Sequence, residues 1–344
     1  MRCLVLCVAL ITFGCRAADD LAAPTIDAAP DGVDGTGCTA TTPRTVPLEA
    51  FIGPTGLQAR LGGYIDSATT SLDVQMYLFS VTELASHITA ARMRGVAVRV
   101  ILDPGEAANN AVYPLFNSGG VPWKNAASVY SYAHAKYLII DRTTTVIMSM
   151  NFNGDAMVRE RNYGVVDRDP EDVTDLQAIF DEDWALANGN KNAPAANLTC
   201  TRLIVSPINS NQRVLELIAS AQTTLDVEVM YITDVVVQNY VAAAHDRGVT
   251  VRVILSDPSG TPGNTGMATF LGGKGIPVKY AIDQFYLHAK LIIADGVAFV
   301  GSENMSPTSF TQNREVGALA LEPDQVALIQ AQFDSDWAIT TPAM

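Results

Sequence analysis

The sequence predicts an α/β fold made of two tandem copies of one unit, and two observations lead to that prediction. The first is an internal repeat: RGVAVRVIL at 94–102 recurs as RGVTVRVIL at 247–255, with eight of nine positions identical and an offset of 153 residues (247 − 94). The second is that strand-like apolar runs alternate with amphipathic helical patterns within each copy. Such alternation is typical of helices covering a sheet, and the repeat implies that the arrangement occurs twice.

Two further pairs of segments repeat at the same offset. TSLDV at 70–74 matches TTLDV at 223–227, and DEDW at 181–184 matches DSDW at 334–337. Three matches at one offset are not chance, so the chain divides into two copies. The predicted segments are a signal at 1–15, a tether at 16–55, copy one at 56–187, a linker at 188–205 and copy two at 206–338.

The sequence predicts the same order of elements in each copy: a strand, an amphipathic helix that ends at a glycine, a β-branched strand and, later, a closing apolar helix. Glycine favours a helix end because it adopts the left-handed conformation without strain. The predicted strands are 72–79, 96–102, 225–232 and 249–255, and the predicted helices are 82–94, 173–186, 235–247 and 325–339.

A pattern of polar residues occurs once in each copy, at equivalent places. His134-Ala-Lys136 is followed by an apolar run to Asp141, and His288-Ala-Lys290 by one to Asp295. Alternation along an extended chain puts the histidine and the lysine on one face. A hairpin after each aspartate brings back a strand that ends in serine and asparagine. These residues are Ser149 and Asn151 in copy one, and Ser302 and Asn304 in copy two.

These residue types suit phosphodiester cleavage without a metal ion. One imidazole can attack phosphorus and form a covalent intermediate, while a second protonates the leaving oxygen and later activates water. Lysine and asparagine donors can stabilise charge on the non-bridging oxygens. Since each copy supplies one such histidine, we expect His134 and His288 to meet in one shared site. His87 and His245 occupy non-equivalent positions in predicted helices and are interpreted as structural.

The duplicated His-Lys-Asp motif followed by serine and asparagine resembles the mark of the phospholipase D superfamily. The resemblance covers about 56–338, and Met148, where the family usually has glycine, is one departure. It implies two phospholipase D-like α/β sandwiches about a pseudo-twofold axis, one site between them, a phosphohistidine intermediate, no cofactor and no required metal. The candidate catalytic residues are His134, Lys136, Asn151, His288, Lys290, Asn304 and Glu315, and the supporting residues are Asp141, Ser149, Asp295 and Ser302.

A second departure concerns the glutamate that the family places some eleven residues beyond the asparagine to hold the histidine. Copy two has Glu315, whereas copy one has Asn162 in the matching place. A carboxylate favours the protonated imidazole and an amide does not. The sequence therefore predicts that Glu315 supports His288 as the general acid and that His134 is the neutral nucleophile. Glu160 is an alternative partner for His134.

The first fifteen residues predict export. Arg2 gives a positive start, and the apolar run at 3–13 is too short to favour a transmembrane helix. Gly14 before Cys15 resembles a bacterial lipobox, although Thr12 stands where leucine is preferred. We expect a lipidated Cys15 and hence an exported bacterial lipoprotein, on the periplasmic side or at the outer membrane. A cleaved signal and secretion are the alternative.

Composition adds two expectations for the exported chain. The residues after the signal are rich in Ala, Asp, Pro, Gly and Thr, which is typical of an unfolded tether. Only Cys38 and Cys200 remain beyond the signal, and two leftover cysteines in an oxidising compartment often pair. We therefore expect a Cys38–Cys200 disulfide, with two free thiols as the alternative.

Charge bears on the substrate. The chain has 22 basic and 36 acidic residues, a net charge of −14. Nucleic-acid binding depends on Lys and Arg, so this balance disfavours a nucleic-acid partner without excluding a local basic cleft. With an anchor at a membrane, we expect a phospholipid substrate. The alternatives are a secreted nuclease of the same superfamily, a cardiolipin synthase-like phosphatidyl transferase and a non-catalytic surface-binding lipoprotein. Because both motifs are in one chain, we expect a monomer.

Overall fold

The computed structural model describes residues 40–42, 44–198 and 201–343. The predicted signal, most of the tether and the three cysteines Cys15, Cys38 and Cys200 lie outside the described residues, so the lipid anchor and the disulfide stay predictions. The searched part of the chain contains no helix with the length and apolar character needed to span a membrane.

Copy one begins before residue 56, because the end of the predicted tether folds as the strand Glu49–Gly53 and joins its sheet. With this strand it contains seven strands and five α-helices, with a short 3₁₀ helix at Ala107–Ala111. Its elements are β1 (Glu49–Gly53), α1 (Leu57–Asp66), β2 (Ser71–Met76), α2 (Thr82–Met93), β3 (Ala97–Leu102), α3 (Tyr113–Ser118), β4 (Trp123–Asn125), β5 (Tyr137–Ile140), β6 (Thr144–Met148), α4 (Gly154–Val158), β7 (Glu160–Asp167) and α5 (Pro170–Ala187).

Copy two follows the same order, with an additional short strand before its motif and another at its end. Its elements are β8 (Leu203–Ser206), α6 (Ser210–Ser220), β9 (Thr224–Val229), α7 (Val235–Asp246), β10 (Thr250–Ser256), α8 (Gly263–Gly273), β11 (Val278–Ala281), β12 (Tyr286–Leu287), β13 (Lys290–Ala294), β14 (Val297–Gly301), α9 (Pro307–Thr311), β15 (Glu315–Ala320), α10 (Pro323–Ile339) and β16 (Thr341–Pro342).

Each copy builds one mixed sheet around the same central strands, and β12 of copy two adds to the sheet of copy one by pairing with β7. The order is β1-β7-β6-β5-β2-β3-β4 in copy one and β16-β11-β10-β9-β13-β14-β15-β8 in copy two. β2 pairs with β3, and β9 with β10, in parallel, while β5–β6 and β13–β14 are antiparallel hairpins. The predicted duplicated α/β fold is confirmed.

The predicted strands at 72–79 and 225–232 run too far, since β2 ends at Met76 and β9 at Val229. Beyond Met76 the backbone makes hydrogen bonds to groups that do not belong to the neighbouring strands. Phe79 N–H donates to the side chain of Asn109 (2.7 Å), and the carbonyl of Leu78 accepts from Phe152 N–H (2.9 Å). The apolar residues after the strand therefore form a loop at the end of the sheet.

The two sheets pack against each other through one apolar face each. This shared core contains Tyr137 and Ile139 of β5 together with Leu291 and Ile293 of β13, all at most 2% exposed. The opposite faces are covered by the helices of their own copy. The central strands that carry the motifs thus meet at the interface between the copies.

Two ion pairs, each with a buried aspartate, cross this interface reciprocally. Arg161 of copy one contacts Asp336 of copy two (2.6 Å), and Arg314 of copy two contacts Asp183 of copy one (2.8 Å). The two arginines, and the two aspartates, are equivalent at the repeat offset of 153. Each copy therefore uses the same surface to bind the other, as a pseudo-twofold arrangement requires.

The chain on either side of copy one converges on one carboxylate. Arg44 contacts Asp172 (3.0 Å), and Arg202 contacts the same Asp172 (2.6 Å). Arg44 follows Cys38 by six residues, and Arg202 follows Cys200 by two. Two segments far apart in the chain are thus held at the same aspartate, while the Cys38–Cys200 disulfide, whose cysteines lie outside the described residues, stays a prediction.

Arg314→Ala should lower the free energy of unfolding by about 3–5 kcal/mol, because it leaves the buried Asp183 without its partner. Urea unfolding followed by circular dichroism measures the change. Arg168→Ala, which removes the exposed pair with Glu49, is the control and should change stability little. Equal effects of the two substitutions would show that the interface does not depend on the Arg314 pair.

Candidate active site

The two motif histidines lie in one cleft between the copies, because the segment before each central strand bonds to the other copy. Ala135 N–H donates to the carbonyl of Arg314 (2.8 Å), and His288 N–H donates to the carbonyl of Arg161 (3.1 Å). These bonds place His134 beside the first residues of β15, and His288 beside those of β7. The expected meeting of the two motifs in one place is what the structure shows.

Each histidine takes its partner from the opposite copy. His134 Nδ1 lies 2.7 Å from Glu315 Oε2, and His288 Nδ1 lies 3.1 Å from Asn162 Oδ1. The predicted pairing of Glu315 with His288 is therefore wrong. The reason is the packing just described, which sets the start of each of these strands against the histidine of the other copy. In both pairs Nδ1–H donates, which leaves Nε2 as the ring nitrogen for chemistry.

The partner residues form the same pair in reversed order. Copy one has Glu160 and Asn162, and copy two has Asn313 and Glu315 at the equivalent positions. Asn162 Nδ2 donates to Glu160 (3.0 Å), and Asn313 Nδ2 donates to Glu315 (2.9 Å). Glu160 lies 3.8 Å from His288 Nδ1, so the hypothesis that it contacts the histidine of copy one is also wrong. His134 contacts the carboxylate of Glu315 directly. The amide of Asn162 lies between His288 and the carboxylate of Glu160.

The motif serines hold these partners in place. Ser302 Oγ donates to Glu315 Oε2 (2.7 Å), and Ser149 Oγ donates to Asn162 Oδ1 (2.8 Å). Both serines are fully buried. Their position fits the supporting role that the sequence suggested, since each fixes the group that orients a histidine.

The motif lysines are buried beside the histidines. Lys136 Nζ donates to the carbonyl of His134, and Lys290 Nζ donates to that of His288 (2.7 Å). Burial lowers the pKa of each lysine to about 7, and the charge of Glu315 opposes that shift. Both ammonium groups therefore depend on neighbouring negative charge near neutral pH.

The histidines are held neutral while Glu315 is ionised. Burial lowers the pKa of His134, and Glu315 opposes that shift. Burial, with Lys290 and Lys136, lowers the pKa of His288 well below its usual range. Burial alone would raise the pKa of Glu315, but His134 and Lys136 outweigh it and lower that pKa. The free site thus has a carboxylate hydrogen-bonded directly to the imidazole of His134, and a more distant carboxylate beside His288.

Asp141 and Asp295 lie at the far ends of β5 and β13 from the histidines. Asp141 accepts hydrogen bonds from the backbone N–H groups of 69–71 (2.7–3.0 Å), and Asp295 from those of 222–224 (2.8–2.9 Å). Partial burial alone would raise the pKa of both carboxyls, but these hydrogen bonds outweigh it. They lower the pKa of Asp295 to about 2, and they lower the pKa of Asp141 still more. Both residues adopt a positive φ, which aspartate tolerates in tight turns. They support the hairpins and take no place in the cleft.

The remaining candidates, Asn151 and Asn304, are 7% and 8% exposed. Asn304 lines a cavity of about 380 Å³ beside His134. Three tyrosines, serines, threonines and Asn313 complete its lining, and the described lining residues include no lysine or arginine. None of the described parts of the chain brings together three or more His, Cys, Asp or Glu side chains in a way that could hold a metal ion.

Sequence reasoning missed the roles of Asn313 and Glu160. A signal for them was present, since Glu-x-Asn at 160–162 is mirrored by Asn-x-Glu at 313–315. Comparing the two residue pairs, and not only positions 162 and 315, would have shown that each copy has one carboxylate near the cleft. It would not have shown which histidine each carboxylate serves.

Comparison with known proteins agrees with the duplicated architecture. A family model described as cardiolipin synthase, PLD-like domain, matches residues 61–184 and 214–337. A mitochondrial cardiolipin hydrolase from Chlamydomonas reinhardtii is 31% identical over 129 residues, which cover 37% of this chain and 57% of that protein. A probable cardiolipin synthase from Bacillus subtilis is 24% identical over 232 residues, covering 59% of this chain and 45% of that protein. The chain thus spans about half the length of these relatives.

Solved structures share the fold at low identity. A phosphatidylserine synthase from Haemophilus influenzae superposes with a TM-score of 0.66 at 15% identity, covering 86% of this chain and 87% of that one. A polyphosphate kinase from Porphyromonas gingivalis gives 0.64 at 14% identity, covering 84% and 50%. Since these proteins have different substrates by name, the fold alone does not select one.

Glu315→Gln should lower the pKa of His134 and leave that of His288 nearly unchanged, because it removes the carboxylate that contacts the ring of His134. NMR titration of the histidine rings measures both values, and the chain has only four histidines. Asn162→Asp is the reciprocal variant and should raise the pKa of His288. A larger response of His288 than of His134 to Glu315→Gln would contradict the crossed pairing.

Proposed function

The chain belongs to the phospholipase D superfamily, and on that premise we propose that it is an exported phosphodiesterase that hydrolyses phospholipids without a metal ion, through a phosphohistidine intermediate. The observation that carries this proposal is the shared cleft, where His134 and His288 lie with two buried lysines between the copies. One histidine can act as nucleophile and the other as acid and base.

In the first step His134 Nε2 attacks phosphorus. The N–P bond forms as the bond to the leaving oxygen breaks, and His288 supplies the proton that this oxygen needs. His288 is neutral in the free site, so it takes up this proton from solvent when the substrate binds, because the negative charge of the phosphodiester raises the pKa of the imidazole. Lys136 and Lys290, with the amides of Asn151 and Asn304, supply donors for the charge on the non-bridging oxygens.

His134 keeps the nucleophilic role, but on a different basis from the sequence prediction. By ease of protonation alone, the crossed pairing would make His134 the acid, since Glu315 contacts it. Attack through Nε2, however, places positive charge on the ring, and a carboxylate at Nδ1–H stabilises that charge as it develops. The pKa of His134 stays low enough for the ring to be neutral before attack.

In the second step water attacks the phosphohistidine from the side of His288. His288 accepts the proton of the water, an O–P bond forms and the N–P bond breaks, which restores neutral His134. An alcohol in place of water would give phosphatidyl transfer by the same steps. Relatives named hydrolases and synthases both occur, so a cardiolipin synthase-like transferase is the second candidate.

Three observations favour a lipid over a nucleic acid. The matching family model and the relatives carry names of lipid enzymes. The net charge is −14, and the described lining of the cavity beside His134 lacks basic side chains. A nuclease would need such side chains along the backbone path of its substrate. Lipidation at Cys15 would hold the protein at a membrane, and the intramolecular site suits a monomer.

Purified protein should release phosphatidic acid from phosphatidylcholine or cardiolipin vesicles in EDTA, and should leave single-stranded DNA intact. The lipid products are measured by mass spectrometry and the DNA by gel electrophoresis. The double variant His134→Ala/His288→Ala should be little slower than either single variant, because the two residues act as one unit. Loss of activity in EDTA with rescue by a divalent ion, or cleavage of DNA alone, would contradict the proposal.

The covalent intermediate should form on His134. Rapid quenching during turnover, followed by mass spectrometry of acid-labile phosphopeptides, should find the adduct on the peptide that contains His134. His288→Ala should form this adduct slowly and also release it slowly, because it removes both the acid of the first step and the base of the second. An adduct on the His288 peptide alone would reverse the two roles.

A further inference from the structure

Tyr77 is an aromatic residue that contacts two motif residues at once, and the reaction described above gives it no part. Its ring centroid lies 4.7 Å from that of the His134 imidazole, and the two planes are tilted by 59°. The ammonium nitrogen of Lys136 lies over the face of the same ring, 5.2 Å from its centroid. A cation within about 6 Å of an aromatic face is attracted by it, and the attraction is strongest where water is excluded.

This contact matters because Lys136 is removed from water. Its side chain is fully buried, and its ammonium group donates to the carbonyl of His134. Burial lowers the pKa of Lys136 to about 7. A modest attraction for the cation is then enough to decide whether this lysine is charged near neutral pH.

The backbone of Tyr77 is fixed by a buried asparagine. Asn109 Nδ2 donates to the carbonyl of Tyr77 (3.0 Å), and Asn109 Oδ1 accepts from Phe79 N–H (2.7 Å). In copy two, Asn264 Nδ2 donates in the same way to the carbonyl of Met230 (2.9 Å), the residue equivalent to Tyr77 at the offset of 153. Both copies therefore fix this position alike, and a methionine is accommodated there. The repeated fold does not require the aromatic ring.

A second tyrosine supports the ring of Tyr77. Tyr132, two residues before His134, meets it edge to face, with the centroids 6.1 Å apart and the planes at 86°. Burial raises the pKa of Tyr77 to about 12, and the charges of Glu106 and Asp103 add to this shift. The ring thus stays a neutral phenol while Lys136 gains or loses its proton.

Several other titratable groups also act on Lys136, and none of the variants of Tyr77 below replaces them. They are Glu315, Glu303, Asp103, Glu160, Lys290, His134 and His288. Glu303 is the carboxyl that stands between the motif residues Ser302 and Asn304, and it is fully buried. A change in the titration of Lys136 on substitution of Tyr77 therefore reports the ring.

We propose that Tyr77 is a positioning residue of the active site, whose ring face holds Lys136 as an ammonium ion beside His134 for contact with the phosphoryl oxygens. The attraction between ring and cation favours the charged lysine, and it limits where the ammonium group can lie. The equivalent Met230 presents no ring on the other side of the cleft. The use of Lys136 in turnover rests on the proposed function, whereas its contact with Tyr77 does not.

Direct titration of the lysines tests the contact without turnover. The chain has six lysines, so ¹³Cε labelling gives a spectrum in which Lys136 is assigned by loss of its signal in Lys136→Arg. Tyr77→Met, which introduces the residue of copy two, should lower the pKa of Lys136 by about one unit, because the ring face is gone. Tyr77→Leu should do the same if methionine perturbs the fold. Tyr77→Phe keeps the face and should leave this pKa nearly unchanged.

Tyr113→Met is the matched control. Tyr113 is another half-buried tyrosine of copy one, but its ring stacks on Trp123, with the centroids 4.3 Å apart. The substitution should leave the pKa of Lys136 unchanged. An unchanged pKa in both Tyr77→Met and Tyr77→Leu, or an equal fall in Tyr77→Phe or Tyr113→Met, overturns the proposal.

Turnover tests the positioning role separately. Tyr77→Met and Tyr77→Phe both keep the two histidines and their partners, so the ratio of their kcat/KM values removes the titrations that they share. This ratio, Met over Phe, should fall by about tenfold as the pH rises through the two pKa values of Lys136, because the lysine loses its proton one unit earlier in Tyr77→Met.

A ratio that does not change with pH, alongside a lowered pKa of Lys136, overturns the positioning role, because the charge of this lysine would then not serve the reaction. If the unaltered protein turns over no phosphodiester, the proposed function fails. The lysine titration alone then decides whether Tyr77 sets the charge of Lys136.

Discussion

The hydrogen bond between His134 and Glu315 joins residues 181 positions apart, and it can form only because two sheets pack face to face. The apolar faces of β5 and β13 bring the copies together, and the pairs of Arg161 with Asp336 and Arg314 with Asp183 fix their relative position. Once that packing is set, the start of each partner strand lies against the other copy's histidine. The electrostatics of the cleft follow from this contact, because it decides which imidazole has a carboxylate.

Small differences between the copies give the cleft two distinct sides. Exchanging glutamate and asparagine between positions two residues apart changes a direct carboxylate contact into one that passes through Asn162. A second local difference is that copy one has the buried residues Met148 and Met150 where copy two has Gly301 and the buried Glu303. Neither difference alters the sheets, so the two copies present different groups to the cleft on a common scaffold.

Much of the fold could be predicted because the helices and strands follow from local patterns of apolar residues and glycines. The helix predicted at 82–94 is observed as Thr82–Met93, and the one at 235–247 as Val235–Asp246, each followed by a glycine with a positive φ. The strand predicted at 72–79 was too long because its apolar end bonds to Asn109 and Phe152, which hydropathy does not reveal. The motif likewise placed each lysine beside its histidine. The histidine partners could not be predicted, since periodicity gives the face of a strand but not what the other copy presents to it.

The joining of both copies in one chain has a consequence for how the site could arise. In a symmetric pair of identical subunits, any substitution appears on both sides of the axis, so a carboxyl such as Glu303 would be present twice or not at all. The cost of burying such a carboxyl would then arise on both sides of the axis. When both halves belong to one chain, a substitution in one half no longer appears in the other. Each half can then acquire its own residues. A buried acid in one copy alone, such as Glu303, is a feature that a symmetric pair of identical subunits could not carry.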